Sequence, residues 1–352
     1  MKQLSIIIPV FNVEDYIRPC IESVLRQGLD DDCYEIIIIN DGTPDKSMEV
    51  IADIIEAHHF IKVINQENQG VSIARNNGIH IAKGEYIMFV DSDDILIDNS
   101  VPYLLNQALS SKAELIISDF IKMTDEEINS ITPNSIHQLD AKIQTIGGKE
   151  LLGAPRYTGY SCIWRIIYRK DFLDKNNIRF IPGINFEDVP FIRQCYMKAK
   201  FCLKANWLLT IYRRGRESSI TASAFNAFNK KKGFNYIVII KYLWELSKDD
   251  CLDYRLQQKI REDAFSYFST LLYATSSCKT ISYSDKIEII KTLKNIPDLS
   301  FKNGFKQKAV SFLYKKMPST YMALRIFYAY YLQDIFWKIK AIIRNKLKLL
   351  NT

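Results

Sequence analysis

The feature that most constrains the fold is an alternation of two hydrophobic periods over the first ninety residues. Leu4–Val10 and Tyr34–Asn40 are near-continuous apolar runs rich in isoleucine, the pattern of strands covered on both faces. Between them Ile17, Ile21, Val24 and Leu25 fall on one face of a helix, with Asn12 expected as its N-cap. The turn Asp41-Gly42-Thr43-Pro44 follows, and Pro44 is expected at the first position of a second helix. Ile61–Gln66 reads as a third strand, Val71–Ala82 as a helix and Tyr86–Val90 as a fourth strand. Strands and helices alternating at this spacing predict an α/β fold, a mostly parallel sheet flanked by helices.

In such sheets ligands bind at the carboxyl ends of the strands. Phe11-Asn12, Asn40-Asp41-Gly42 and Asp91-Ser92-Asp93-Asp94 all lie just after strands, so they are expected along one sheet edge. Three carboxylates after a buried strand are electrostatically costly unless something positive is bound there. An EF-hand loop is excluded: counting from Asp91, Leu96 stands where glycine is needed and Pro102 where a bidentate glutamate is needed. In aspartyl-phosphate phosphatases a similar Asp-x-Asp follows the first strand rather than the fourth, and no dinucleotide or Walker glycine motif occurs. A nucleoside diphosphate held with Mg2+ or Mn2+ fits, because these hard cations take one or two carboxylates plus phosphate oxygens. The plainer alternative is that Asp93 and Asp94 only cap the following helix.

Composition narrows the class. The chain has 352 residues, 47% hydrophobic and 25% charged, enough for a large domain with an appendage. Its seven cysteines are scattered without a CxxC pair and its four histidines lack ligand spacing, which predicts reduced thiols and no zinc site. No signal peptide is read, and no apolar run reaches the ~18 residues of a membrane span. A cytoplasmic protein is expected, with no nucleic-acid partner. The net charge of +7 is carried by the tail: from Phe301 onward eleven lysines and arginines face one acid, Asp334, leaving −3 for residues 1–300. Ile335, Phe336, Ile339, Ile342, Ile343, Leu347 and Leu350 recur there at helical spacing. A basic amphipathic helix of this kind is expected to lie peripherally on the cytoplasmic membrane face, the alternative being packing on preceding helices.

The runs "SIIIPVFNVEDYIRPCIESVLRQ", "NDGTPDKS" and "NQGVSIARNNGIHIAKGEYIMFVDSDD" together resemble the inverting family 2 glycosyltransferases with a GT-A fold, of the bacterial surface-polysaccharide type. The resemblance resumes at "CIWRIIYRKDFLDKNNIRF", "GINFEDVPFIRQCYMKAK" and "LLTIYRRGRESSIT". It implies a GT-A nucleotide-sugar-binding domain, read over residues 1–225; from about 226 strand signals fade and aromatic-rich helical periodicity takes over, which predicts a helical C-terminal region over 226–352. It further implies that Pro9, Phe11, Asn12 and Glu14 wall the base pocket and that Asp41 receives the base N–H, uracil for a UDP-sugar. Relatives often read Asp-Asp-Gly-Ser where this chain has Asn40-Asp41-Gly42-Thr43. Arg75 and Asn76 are implied near base and diphosphate, and a guanidinium there makes charge-assisted forked bonds. Asp91, with Ser92 beside it, is implied at ribose and metal, and Asp93 as the principal metal ligand.

Inverting transfer to a glycan or lipid-linked acceptor needs a general base. The resemblance places the pair Glu187-Asp188 at the acceptor site, with Asp188 the first candidate for base and Glu187 the second. The alternative is that Asp188 only caps the helix running to Ala199. As a base it would be kept ionised by the helix N-terminus. Trp164 and Tyr160 are candidates for a platform under a sugar ring, though core packing accounts for them equally. The reading is a metal-dependent inverting hexosyltransferase using a nucleotide-diphospho-sugar, with a sugar-nucleotide nucleotidyltransferase or a non-catalytic nucleotide-binding scaffold as alternatives.

Overall fold

A computed structural model describes residues 2–130, 136, 138, 141–153, 162–215 and 228–293. The basic tail and Tyr160 lie outside the described residues. The chain divides into two compact units, Met1–Arg216 and Glu217–Thr352.

Among the described residues the first unit is built on a nine-stranded sheet. Strands β1 (Leu4–Val10), β2 (Tyr34–Asn40), β3 (Ile61–Asn65) and β4 (Tyr86–Phe89) alternate with α1 (Ile17–Leu25), α2 (Ala52–Ala57) and α3 (Val71–Ile81). Then come β5 (Ile95–Leu96), α4 (Val101–Ser111), β6 (Leu115–Thr124), α5 (Asp125–Ser130), β7 (Ile143–Ile146) and α6 (Gly148–Leu152). Strand β8 (Ile166–Arg169), α7 (Lys170–Lys175), α8 (Asp188–Lys198) and β9 (Cys202–Arg214) complete it.

The spatial order is β3-β2-β1-β4-β8-β6-β9-β5, with β7 also on β9. The parallel part expected from the sequence spans β3 to β4. Beyond it β8 runs antiparallel between β4 and β6, and β5 and β7 pair antiparallel with β9. These later strands are short or bulged and carry little periodicity of their own. The β6–β9 pairing shifts register around Ser118 and Asp119, where the buried Arg165 donates from Nε to the Ser118 carbonyl at 2.6 Å.

All seven residues of β1 are buried. Below the sheet Ile17, Cys20, Ile21 and Val24 of α1 pack with Ile6, Ile8, Ile36 and Ile38. Two expected helix starts are displaced. Helix α1 begins at Ile17 with Tyr16 before it, and Asn12 sits in the left-handed region at φ 55°, so it is no N-cap. Pro44 precedes a turn rather than a helix: the chain first coils around Asp45, and a 3-10 turn at Glu49–Ile51 leads into α2.

The described part of the second unit comprises three helices, Lys230–Leu246, Tyr254–Ser277 and Tyr283–Leu293. Asn229 and Asp253 cap the first two by accepting from the N–H groups of Lys232 and Leu256. Gly233 lets the first helix approach the third, since a Cβ there would meet Ile289 Cδ1 at 2.7 Å. Lys230 seals the same contact by pairing with Asp285 and Glu288 at 2.9 and 2.8 Å.

The registration of β4 against β1 depends on Gly84. A Cβ there would meet Ser5 N at 2.4 Å, Leu4 C at 2.5 Å and Tyr86 O at 2.8 Å, all backbone atoms that cannot swing aside. Gly84→Ala is therefore expected to destabilise the chain by about 1–3 kcal/mol, as overpacking does. Chemical denaturation with an unchanged midpoint would refute this.

Candidate functional site

Strand β1 lies between β2 and β4, and successive connections leave it in opposite directions, so its carboxyl end is the switch point of the sheet. The β4 ladder stops early there, with Ile7 opposite Phe89 as the last registered pair. Ile7 O accepts from Val90 N on the β4 side, whereas Val10 O accepts from Asp41 N on the β2 side. Alternation places the nitrogen of Pro9 on the β4 flank. Proline thus removes a donor where the partner strand has already ended, and a notch opens between the strands.

On one side of the notch Phe11 keeps 44% of its surface exposed, large for an aromatic beside a strand end. Asn12 and Glu14 lie in the same loop, which is tied to the loop after β2. Asn12 N donates to Thr43 Oγ1 at 2.8 Å, Val13 N to Ser47 Oγ at 3.1 Å and Glu14 N to Asp45 Oδ2 at 2.9 Å. Glu14 Oε2 in turn accepts from Lys46 N at 2.8 Å. Asp41 is buried and organises the chain before α3: Oδ1 accepts from Gln66 Nε2 at 2.7 Å and Gln69 N at 2.8 Å, and Oδ2 from Gly70 N at 2.9 Å. A carboxylate has about four acceptor positions, so three of them serve this loop and one is left for a ligand.

Helix α3 carries the pivot. Arg75 is buried, and its guanidinium binds Asp91 Oδ1 through Nη2 at 2.7 Å and Glu187 Oε1 through Nη1. Its Cζ sits 5.4 Å from the Phe180 ring centre, and its Nε is buried without a hydrogen-bond partner. Asn76 next to it locks the Phe180 backbone in both directions, donating to Phe180 O and accepting from Phe180 N at 2.9 Å each. The structure therefore joins Arg75, Asp91 and Glu187 and gives Asn76 the task of fixing the segment that leads to them.

Asp188 opens α8, directly after Glu187. Phe186 takes a left-handed φ of 62°, which turns the chain immediately before the two consecutive carboxylates. Burial, and then the adjacent Glu187 charge, push the Asp188 carboxyl up to about 7, against the opposing pull of Arg75 and the Val189 N–H. The expectation that the helix N-terminus would keep this carboxylate ionised is thus corrected: desolvation outweighs that contribution. Burial also raises Asp91; Arg75 lowers it and Asp93 raises it, and the net shift is upward.

The loop after β4 is held from its other flank by Arg213 at the end of β9. Arg213 donates from Nε to Asp93 O at 2.7 Å and from its backbone N to Asp94 Oδ1 at 2.9 Å. Its guanidinium also pairs with Asp125 and lies 4.9 Å above the Tyr16 ring. Ser92 and Asp94 are buried, and Asp94 Oδ2 has no hydrogen-bond partner. Asp94 therefore belongs to the loop's scaffold and is not a cap for α4, which starts at Val101.

Among the described residues no group of three acidic, histidine or cysteine side chains forms a ready cation cage. A hard cation bound together with a diphosphate needs only one or two protein carboxylates. Asp91 and Asp93 are the carboxylates that would supply them, and the charge of Asp93 works against both Asp91 and Asp94, which a cation would relieve. The donor set fits Mg2+ or Mn2+.

Trp164 is buried, stacked on Tyr212 at 5.4 Å and edge-on to Phe120 at 4.8 Å, so packing accounts for it. Sequence reasoning gave no role to Asp45 or Arg213 and offered Asp94 only as a helix cap. The signal available for Arg213 was the need for positive charge beside Asp91-Ser92-Asp93-Asp94, which the sequence reading assigned to a metal ion alone.

Residues 5–173 match the model of glycosyl transferase family 2. The uncharacterized glycosyltransferase EpsJ of Bacillus subtilis is 35% identical over 217 residues, 61% of this chain and 62% of that protein. The match thus spans less than two thirds of that relative's length. The poly(ribitol-phosphate) beta-N-acetylglucosaminyltransferase TarP of Staphylococcus aureus is 28% identical over 312 residues, covering 84% of this chain and 90% of TarP. In structure, S. aureus TarS 1–349, solved in complex with UDP-GlcNAc, matches with a TM-score of 0.65 at 19% identity over 93% of this chain and 89% of TarS. The switch-point site, the strand order and this likeness define a GT-A fold. Within that fold, residues 5–173 of the chain match a glycosyl transferase family 2 domain.

The Arg75 bridge makes a stability prediction. Arg75→Ala leaves Asp91 and Glu187, whose side chains are 27% and 12% exposed, without their shared cation. Loss of one partner from a buried pair costs about 3–5 kcal/mol, and the partial exposure of Asp91 points to the lower end. A urea unfolding curve superimposable on that of the unaltered chain would show that the bridge does not support the fold.

Proposed function

We propose that this protein transfers a sugar from a UDP-sugar to a hydroxyl of a bacterial surface polymer, with inversion at the anomeric carbon. The observation that carries the reading is the Arg75 guanidinium, which binds Asp91 of the β4 loop and Glu187 of the α8 start at once. Donor-side and acceptor-side carboxylates are thereby fixed in one frame. TarS in complex with UDP-GlcNAc and the polymer-directed TarP support the donor and the acceptor class.

In this mechanism Phe11 and Pro9 wall the base, and the remaining acceptor position of Asp41 receives a base N–H. Asp91 and Asp93 would hold a Mg2+ or Mn2+ ion, which when bound supplies Lewis-acid stabilisation of the departing diphosphate. Arg75 neutralises part of the carboxylate charge at the donor site. Asp188 takes the proton from the acceptor hydroxyl as its oxygen bonds to the anomeric carbon and the bond to the diphosphate breaks. Glu187 is committed to Arg75 and acts as its anchor, which leaves Asp188 as the base.

Two outcomes follow. Asp93→Ala should keep the fold and lose metal-dependent UDP binding; calorimetry that finds unchanged Mn2+-dependent affinity would remove Asp93 from the cation site. With the Asp188 carboxyl pushed up to about 7, the base is protonated below that pH and ionised above it. The sign is therefore a kcat/KM that climbs as pH rises through about 7 and then levels off. Asp188→Asn should abolish that limb and lower transfer by about 10²–10⁴-fold, typical of general-base loss. A retained limb in Asp188→Asn assigns the base elsewhere.

A further inference from the structure

Three consecutive backbone N–H groups of the β1–α1 loop converge, directly or through a hydroxyl, on the side chain of Asp45. Glu14 N reaches Asp45 Oδ2 directly at 2.9 Å. Asn12 N and Val13 N reach it through hydroxyls: they donate to Thr43 Oγ1 and Ser47 Oγ at 2.8 and 3.1 Å. Both hydroxyls donate onward to Asp45 Oδ1, each at 2.5 Å, and Ser47 N donates to the same oxygen at 3.1 Å. Asp45 thus serves as a fixed internal anion for a turn of successive amides, the arrangement by which such turns hold anionic groups.

The turn held this way contains Phe11, 44% exposed at the sheet edge, and Asn12 in a left-handed conformation that a free loop would seldom keep. The second loop begins at Asp41, whose carboxylate fixes the chain before α3. Both walls of the notch are therefore fastened to each other through residues 43–47 rather than through the core. Fastening a binding loop in its bound form reduces the ordering penalty when the ligand arrives.

We propose that Asp45, acting through Thr43 and Ser47, is a positioning residue that presets the nucleobase wall and so governs affinity for the uridine moiety of the donor. The inference rests on the donor reading given above. Burial works against the charged carboxylate, but the Ser47 and Thr43 hydroxyls and the Glu14 and Ser47 N–H groups hold it down at about 2, so the clasp keeps its charge at any pH of use.

The test compares the full-length enzyme with Asp45→Ala and, as a milder disruption, with the double variant Thr43→Val/Ser47→Ala. Inhibition of transfer by uridine and by Mn2+-pyrophosphate is measured alongside KM, kcat and melting temperature. Expected for Asp45→Ala is about a tenfold weaker inhibition by uridine and a matching rise in donor KM, equivalent to about 1.4 kcal/mol. Inhibition by Mn2+-pyrophosphate should stay within twofold, and kcat should fall less than KM rises. The double variant should shift the same way by a smaller factor, and Asp45→Asn, which can still accept from both hydroxyls, should recover part of the loss. Unchanged uridine inhibition in both Asp45→Ala and the double variant overturns the proposal. Equal weakening of uridine and pyrophosphate with a lowered melting temperature overturns it too, since that marks a general structural role. If the unaltered enzyme itself ignores uridine, the donor reading falls first and takes this inference with it.

Discussion

The site depends on one buried cation. Arg75 is taken out of water by the sheet and by Phe180, and it can stay charged there only because Asp91 and Glu187 meet it at two nitrogens. The partners come from the end of β4 and from the residue before α8, so the ion pairs connect segments about a hundred residues apart in sequence. The requirement is mutual: each carboxylate is desolvated where it stands and would be costly without the guanidinium. Geometry and charge are therefore set by the same contact. Asn76, one residue along α3, closes the bonds that hold Phe180 under the guanidinium plane.

A second arginine completes the frame without duplicating the first. Arg75 grips a carboxylate of the β4 loop, whereas Arg213 grips its backbone through the Asp93 carbonyl and engages Asp94 from its own N–H. Between them the loop is fixed on both flanks, which is the support a precise binding constellation needs. The acids still outnumber the two arginines, counting Asp91, Asp93, Asp94, Glu187 and Asp188. A field of that sign favours a divalent cation and works against a bare diphosphate, so cation and nucleotide are expected to be taken up together.

The sequence disclosed whatever is written in local periodicity. β1, β2, β3 and β4 matched their apolar runs to within a residue, and the polar residues at their ends could be assigned to one edge. The displaced starts of α1 and α2 have a common physical origin. Asn12 and Pro44 carry good local cap chemistry, worth about 1 kcal/mol, yet both loops are committed to the longer-range network around Asp45. Leu115–Phe120 also reads as a strand and lies within β6, but the short antiparallel strands beyond it were illegible for a related reason. Strand β8 has four residues and β5 two, and their places depend on β6 and β9 rather than on their own pattern. Among candidate site residues, Asp93 and Asp188 were singled out by the family motifs, and their proposed roles await the measurements above. The anchoring of Glu187 by Arg75 was not legible there, because nothing in "NFEDVPF" distinguishes one acid from the next.

Asp188 shows how the competing terms settle. A helix N-terminus favours a carboxylate by about 0.3–1 kcal/mol, less than the 1.36 kcal/mol that moves a pKa by one unit. Desolvation and the Glu187 charge act the other way and lift the carboxyl to about 7. A group in that range is a stronger proton acceptor than an ordinary aspartate while remaining ionised over part of the neutral range, which is what the proposed role as general base requires. Arg75 limits how far the shift goes, since its charge lowers the Asp188 value. The guanidinium that ties the β4 loop to α8 is thus also the group that keeps the carboxylate beside it from becoming too reluctant to ionise.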